Sequence, residues 1–129
     1  MPHFSIEYSA NLETRIDMSK LCDVLRIAGI ETGVFPLAGI RVRAIRCDHY
    51  AIADGDAAHG FIDLSVRLRA GRDLETRKTA TAHIFAAAKA FLDPVLNKYP
   101  LALSMEMRDI DPELSPKINT IRDRLKENK

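Results

Sequence analysis

The chain has 129 residues, of which 47% are hydrophobic and 29% charged, and its formal net charge is +1. This length suits one domain, and the composition is that of a folded globular protein rather than a disordered one. The near-zero net charge argues against a binder of nucleic acid or of an acidic membrane, while one cationic pocket stays compatible with it.

Targeting signals and cysteine usage point to the cytoplasm. No basic region precedes an apolar stretch at the N-terminus, as it does in a secretory signal. No run approaches the about 18 apolar residues that a membrane span requires. Cys22 and Cys47 show no metal-binding spacing and are expected to be small buried hydrophobes in a reducing compartment.

The first predicted element is a strand that follows Pro2, where polar and apolar residues alternate through HFSIEY. Proline cannot donate a hydrogen bond to a strand ladder, so it suits the position at which a strand starts. A helix is predicted over roughly Met18 to Ala28, with Gly29 and Gly33 expected to end it.

The middle of the chain predicts two further strands. In GIRVRAIR the apolar residues alternate with Arg41 and Arg43, which places both arginines on one face. Asp54-Gly55 is a tight-turn signal. After it, the stretch FIDLSVRLR again alternates, with its leucines, isoleucine and valine on the buried side.

A near-repeat relates the two halves of the chain. NLETR at Asn11–Arg15 and DLETR at Asp73–Arg77 each follow a predicted strand, which favours an internal duplication. Asp73 suits the N-cap of a second, longer helix, which Pro94 is expected to kink or to end early.

The last predicted elements are a strand in LALSMEMRDI and a tail helix that begins at Ser115-Pro116. The order β-α-β-β-α-β indicates an α+β fold in a single domain over residues 1–129. Two β-α-β units with right-handed crossovers would form a four-stranded mixed sheet with both helices on one face. The other, open face would carry small and charged residues that water or another subunit covers.

Pro2 is a candidate catalytic residue if Met1 is removed. It would then be a secondary amine, and an unperturbed α-amino group has a pKa of about 7.7 to 8.0. Burial or a nearby cation lowers such a pKa, and a base close to neutrality suits proton transfer. With Met1 attached, the proline nitrogen is a tertiary amide without basicity.

Arg41, at the start of a strand, and Arg72, just before a helix in AGRD, are candidate anion-binding residues. A guanidinium group matches a carboxylate bidentately, and a helix N-terminus favours an anion. The alternatives are that Arg72 is a solvated first-turn residue and that Arg41 and Arg43 are surface or subunit-contact residues. His3 is a weaker candidate for a site near Pro2.

MPHFSIEY, FPLAGIRVR, the ADG turn and AGRDLETR together resemble the 5-carboxymethyl-2-hydroxymuconate delta-isomerase family of the tautomerase superfamily. The resemblance runs in order from Pro2 to the tail helix. It implies a homotrimer with sites between subunits, Pro2 as the catalytic base and acid, and Arg41 and Arg72 as substrate-binding residues.

The implied reaction converts 5-carboxymethyl-2-hydroxymuconate, a polycarboxylate 2-hydroxy dienol, into its 2-oxo-3-ene isomer. This step belongs to aromatic-compound breakdown by the homoprotocatechuate pathway. No metal or organic cofactor is implied, because the conjugated substrate itself delocalises the developing charge.

Two departures from the family pattern leave alternatives open. The chain has no tryptophan, and it carries Arg69 where a smaller residue is expected, either as a further carboxylate contact or as an exposed side chain. A related unsaturated oxo acid is therefore an alternative substrate. A non-catalytic oligomeric binder of small ligands that retains Met1 is a second reading. An RNA-binding module is disfavoured, because its exposed strand positions should carry stacking aromatics, and here they carry Ser, Asp, Glu and Arg.

Overall fold

The computed structural model describes residues 1–127 and confirms the predicted order of elements. The strands are β1 (His3–Ser9), β2 (Arg41–Cys47), β3 (Gly60–Arg69) and β4 (Leu101–Ile110), and the helices are α1 (Met18–Glu31), α2 (Leu74–Leu96) and α3 (Ile121–Glu127). Short 3₁₀ turns cover Ala10–Leu12 and Leu37–Gly39.

The strands form one mixed sheet in the order β2-β1-β3-β4. β1 is parallel to β2, β3 is parallel to β4, and the two pairs meet in the antiparallel contact of β1 with β3. Each half of the chain is therefore a β-α-β unit. α1 and α2 contact each other on one face of the sheet, as predicted.

The hydrophobic core lies between the helices and this face of the sheet. Alternation along the strands supplies its inner layer, and helical spacing supplies the outer one. Residues that are at most 2% exposed include Phe4, Ile6, Ile62, Leu64, Val66 and Leu68 from the sheet and Leu21, Leu25, Ile84, Ala88 and Leu92 from the helices. Cys22 and Cys47 are free thiols and are only partly buried.

Aspartate side chains fix the starts of both long helices. Asp17 accepts a hydrogen bond from the backbone N–H of Lys20 at 3.1 Å, and Asp73 accepts one from Thr76 at 2.8 Å. These contacts satisfy first-turn donors that have no partner within the helix. The second confirms the predicted cap. α2 continues through Pro94 and ends two residues later, at Leu96.

The prediction that Gly29 ends α1 is wrong. The helix continues to Glu31, and Gly29 is buried inside it against the ring of Phe4. A Cβ atom at this position would lie 3.0 Å from Phe4 Cζ. Gly29 therefore allows close packing of the helix on β1, and Gly33, with a φ of 69°, follows the helix end.

The tail helix also begins later than predicted. Ser115 does not cap it, because its hydroxyl donates to the carbonyl of Asp111 at 2.6 Å. Asn119, two residues before the helix, accepts a hydrogen bond from the Ile121 N–H at 2.9 Å. Residues 111–120 thus form an irregular segment between β4 and α3. The predicted turn at Asp54-Gly55 is confirmed by a 2.8 Å bond from the Gly55 N–H to the Ile52 carbonyl.

The register arranges the open face of the sheet in rows. His3 lies opposite Arg41 on one side and Arg67 on the other, and Arg67 lies opposite Arg108. We call these four residues the basic row. Four residues further along β1, Glu7 lies opposite Asp63, and we call this pair with its neighbours the acidic row: Ile45, Glu7, Asp63 and Ser104.

Candidate functional site

A cavity of about 400 Å³ opens where β1 begins and where β3 and β4 end. The irregular segment after β4 forms its opposite wall. Its lining includes four basic side chains, and no acidic side chain occurs among the lining residues that the structure describes: Met1, His3, Arg67, Arg69, Ile110, Pro112, Ser115, Pro116 and Lys117. Such a cavity is suited to an anionic ligand.

Pro2 lies beside this cavity and is held by backbone on one side. The residue is buried, and its carbonyl accepts a hydrogen bond from the Arg41 N–H at 3.4 Å. A Cβ atom on Gly39 would lie only 2.9 Å from Pro2 Cδ, so glycine at this position permits the close approach. The ring of Pro2 is thereby fixed against the start of β2.

Met1 is attached to Pro2 and contacts the residues around it. Its sulfur accepts a hydrogen bond from the guanidinium of Arg41 at 3.3 Å. Met1 also lines a second cavity of about 150 Å³, together with Lys117, Asn119 and Arg122. It therefore borders two neighbouring cavities, both of which include Lys117.

The N-terminal amine lies in a positive environment. Burial, followed by the charges of surrounding cations, holds the pKa of the Met1 amino group below its usual value; these cations are Lys117, Arg41, Arg72 and Arg69, in decreasing order of effect. Both influences disfavour the protonated amine. The surroundings of this end of the chain therefore favour the neutral form of an amine more than water does.

His3 lies between two guanidinium groups of β2. Its Nε2 is 3.1 Å from Arg41 and its Nδ1 is 3.2 Å from Arg43. A neutral imidazole accepts a hydrogen bond at only one of its two nitrogens. At the other nitrogen, the imidazole N–H therefore faces the N–H of an arginine, and the two donors repel. Burial, followed by Arg41, Arg43 and Arg67, lowers the pKa of His3. Within the described residues, Arg41 and Arg67 of this row have no carboxylate partner, whereas Arg108 pairs with Glu106 at 3.7 Å.

Carboxylates do not neutralise the cations around the cavity. Within the described part of the chain, no ion pair includes Arg41, Arg67, Arg69 or Lys117. Arg69 is exposed and also lines the cavity, and its contact with a substrate carboxylate stays a prediction.

Arg72 has a different position from the one expected for a residue that only binds substrate. Its guanidinium donates two hydrogen bonds to the carbonyl of Val34, at 2.7 and 3.1 Å, and one to the carbonyl of Arg69 at 3.3 Å. It is not among the residues that line the cavity. Arg72 thus ties the loop after β3 to the loop after α1, and its charge still acts on the nearby amine.

Two residues of this site have no role in the sequence-based prediction. Arg67 alternates onto the open face in the sequence, but only the strand register places it beside His3. Lys117 lies in an irregular segment that was predicted as helix. Without periodicity or a motif, no sequence signal brings Lys117 to the N-terminus.

The sequence is similar to known proteins over nearly its whole length. The family described as 5-carboxymethyl-2-hydroxymuconate isomerase matches residues 2–125. The chain is 34% identical over 121 residues to the Escherichia coli protein named 5-carboxymethyl-2-hydroxymuconate Delta-isomerase. The aligned region covers 94% of this chain and 96% of that protein.

Solved structures of similarly named proteins share the fold over nearly the whole chain. A 5-carboxymethyl-2-hydroxymuconate delta-isomerase superposes with a TM-score of 0.91 at 31% identity, over 97% of this chain and 93% of its own. A 5-carboxymethyl-2-hydroxymuconate isomerase from Deinococcus radiodurans R1 superposes with a TM-score of 0.89 at 29% identity, over 96% of this chain and 93% of its own. The chain belongs to the 5-carboxymethyl-2-hydroxymuconate isomerase family and is an isomerase.

Proposed function

We propose that this chain converts 5-carboxymethyl-2-hydroxymuconate into its 2-oxo-3-ene isomer, with Pro2 as the proton-transferring group once Met1 is removed. Arg41 and Arg72 are the proposed substrate-binding residues. The observation that carries the proposal is the position of the chain terminus, beside a cavity lined by cations without a carboxylate. Family membership favours this enzyme over the non-catalytic ligand binder.

Removal of Met1 would make Pro2 the terminal amine in the same surroundings. Pro2 is more buried than Met1, and Arg41 contacts both residues. Burial and neighbouring cations both disfavour a protonated amine, so the pKa of Pro2 is expected below the ordinary range of a chain terminus. A free amine at neutral pH is the form that a general base requires.

The reaction itself needs only a proton to move. The substrate carries a hydroxyl at C2 and double bonds at C2–C3 and C4–C5. Pro2 nitrogen takes the hydroxyl proton, the electrons shift toward a 2-oxo group and a C3–C4 double bond, and the protonated Pro2 returns the proton to C5. Atoms and electrons balance without an added oxidant or reductant.

Arg41 is suited to the charge that develops during this transfer. Its guanidinium contacts Met1, its backbone N–H contacts Pro2, and the side chain is free of carboxylate partners in the described part of the chain. A positioned cation stabilises the dienolate oxygen and orients an adjacent carboxylate. Arg72 would contribute mainly through its charge, because backbone carbonyls accept its hydrogen bonds.

The decisive test compares wild type with Pro2→Ala by the ultraviolet absorbance of the dienol. Loss of general acid–base catalysis of this kind lowers the rate by about 10²- to 10⁴-fold. Intact mass must show loss of Met1 in both proteins, and circular dichroism must show the same fold. Equal rates in the two processed proteins would overturn the mechanism.

A homotrimer is the proposed assembly. The segment from Leu114 to Ile121 exposes large apolar side chains, with Leu114 80%, Ile118 92% and Ile121 51% exposed. Exposed apolar side chains that lie so close together are typical of a protein contact. A native mass equal to one chain at micromolar concentration would contradict this assembly.

The proposed location is the cytoplasm, and small polycarboxylates rather than membranes or nucleic acids are the proposed partners. The free thiols of Cys22 and Cys47 suit a reducing compartment. Among residues 1–127 there is no helix with the length and apolar character that crossing a membrane demands.

A further inference from the structure

We propose that Lys117 is a substrate-binding residue that holds the carboxylate of the carboxymethyl arm, and so sets the preference for branched tricarboxylates over linear dicarboxylates. This inference rests on the proposed function. It concerns a residue outside the sheet, on the segment between β4 and α3, and it gives that segment a role in recognition.

The position of Lys117 is the first support. It lines both the larger cavity and the smaller one, so it lies where the two approach Met1. Among the cations around the terminal amine, Lys117 has the largest effect on it. The side chain therefore reaches the reacting end of the chain from the wall that faces the sheet.

Hydrogen bonds on both sides of Lys117 order its segment, and one of them reaches another part of the fold. The Ser115 hydroxyl donates to the Asp111 carbonyl at 2.6 Å, and the Asn119 side chain donates to the Ala38 carbonyl at 2.9 Å. Ala38 precedes Gly39, which contacts the ring of Pro2. The Asn119 bond fixes the backbone after Lys117 relative to Pro2, and the side chain of Lys117 is exposed.

The charge of Lys117 is available to a ligand. No ion pair of the described residues includes it, and the lining of its cavity contributes no acidic side chain. A lysine ammonium with no carboxylate partner, at the mouth of a cavity, suits a charge-assisted hydrogen bond to a ligand carboxylate.

The shape of the substrate explains why a cation is needed on this side. The carboxymethyl arm is attached at C5, next to the C6 carboxylate, so two negative groups diverge from one end of the molecule. Arg67 and Arg69 of β3 approach the cavity from the sheet, whereas Lys117 approaches from the opposite wall. One carboxylate can thus contact the sheet while the arm contacts Lys117.

The test is calorimetric and independent of turnover, using two saturated probes that differ only in the arm: adipate and 2-(carboxymethyl)adipate. In Lys117→Ala, affinity for 2-(carboxymethyl)adipate is expected to fall about tenfold, as for a lost hydrogen bond between charged groups, while affinity for adipate changes less than about twofold. Lys117→Arg should restore most of the affinity. Lys89→Ala, an equal loss of charge at an exposed position of α2, is the matched control.

Kinetics with the processed enzyme separate binding from a structural role. Lys117→Ala should raise KM for 5-carboxymethyl-2-hydroxymuconate about tenfold with kcat nearly unchanged, and thermal stability should match wild type. Unchanged affinity for both probes, or an equal loss for both, overturns the role of Lys117. Either result leaves the proposed function standing if Pro2→Ala is still inactive.

Discussion

The two ends of the open sheet face both place like charges side by side, yet their surroundings differ. In the acidic row, Glu7 and Asp63 are exposed, and the Ser104 hydroxyl donates to Asp63 at 3.1 Å. In the basic row, Arg41 and Arg67 flank His3 beside a cavity, and the described residues supply no carboxylate for them.

Like charges directly opposite each other in a sheet are destabilising by about 0.2–1 kcal/mol for each pair. In the acidic row, water and a hydroxyl donor reduce that cost. In the basic row, Arg108 contacts Glu106 and the Ser65 hydroxyl, whereas Arg41 and Arg67, which lie nearer the cavity, have no such carboxylate among the described residues. The comparison indicates that the basic row is prepared for an anion, whereas the acidic row is a solvated surface.

The largest expected effect comes from neutralising the basic row. Arg41→Gln should lower kcat/KM for the dienol by about 10²- to 10³-fold, because it removes a positioned donor for developing negative charge. Absorbance kinetics with the processed enzyme measure this loss.

Glu7→Gln is the matched change in the acidic row. Glu7 lies four residues from His3 along β1, about 13 Å away at the usual strand rise, and salt screens exposed charges over about 8 Å. Its kcat/KM should therefore stay within about twofold of wild type. Similar losses in Arg41→Gln and Glu7→Gln would remove the distinction between the rows.

Arg72→Ala tests whether the cavity end includes a residue outside the sheet. Its hydrogen bonds to Val34 and Arg69 predict a loss of unfolding free energy of about 1–3 kcal/mol, because the Val34 carbonyl loses its charged partner. We also expect a clear decrease of kcat, since a cation near the terminal amine disappears. Urea denaturation and steady-state kinetics separate the two effects, and lower stability with near-normal kinetics would leave Arg72 a purely structural residue.

Period-two alternation was enough to predict the strands, the core side and the open face, because burial of one face imposes it. It placed Arg41 and Arg43 together, but it could not align β1 with β3. The position of Arg67 beside His3 depends on that alignment. The sequence could not place Lys117 at the site, because its segment has neither alternation nor helical spacing. The wrongly predicted cap at Ser115 put Lys117 in a helix instead.

The near-repeat shows why matching letters do not guarantee matching structure. DLETR opens α2, with Asp73 as its cap. NLETR includes part of a 3₁₀ turn, where the Asn11 side chain donates to the His59 carbonyl at 2.6 Å, and α1 begins only after Asp17. The connection after β1 is anchored to a distant loop, and this tertiary contact overrides the local preference.

The smallest expected effect concerns the pH dependence of stability through His3. Its pKa is lowered in the folded protein by burial and then by Arg41, Arg43 and Arg67, so the folded state binds fewer protons than the unfolded state does. This contribution to stability is present above the unfolded pKa of about 6.5 and is lost as the pH falls through the lower folded value. His3→Gln removes it. Urea denaturation at pH 7.5 and pH 5 should therefore show a smaller loss for His3→Gln than for wild type, while His49→Gln, at an exposed position outside the row, keeps the wild-type loss. If His3→Gln and wild type lose the same free energy, burial and the arginines around His3 do not lower its pKa in the folded protein, and the positive surroundings inferred for the basic row are contradicted.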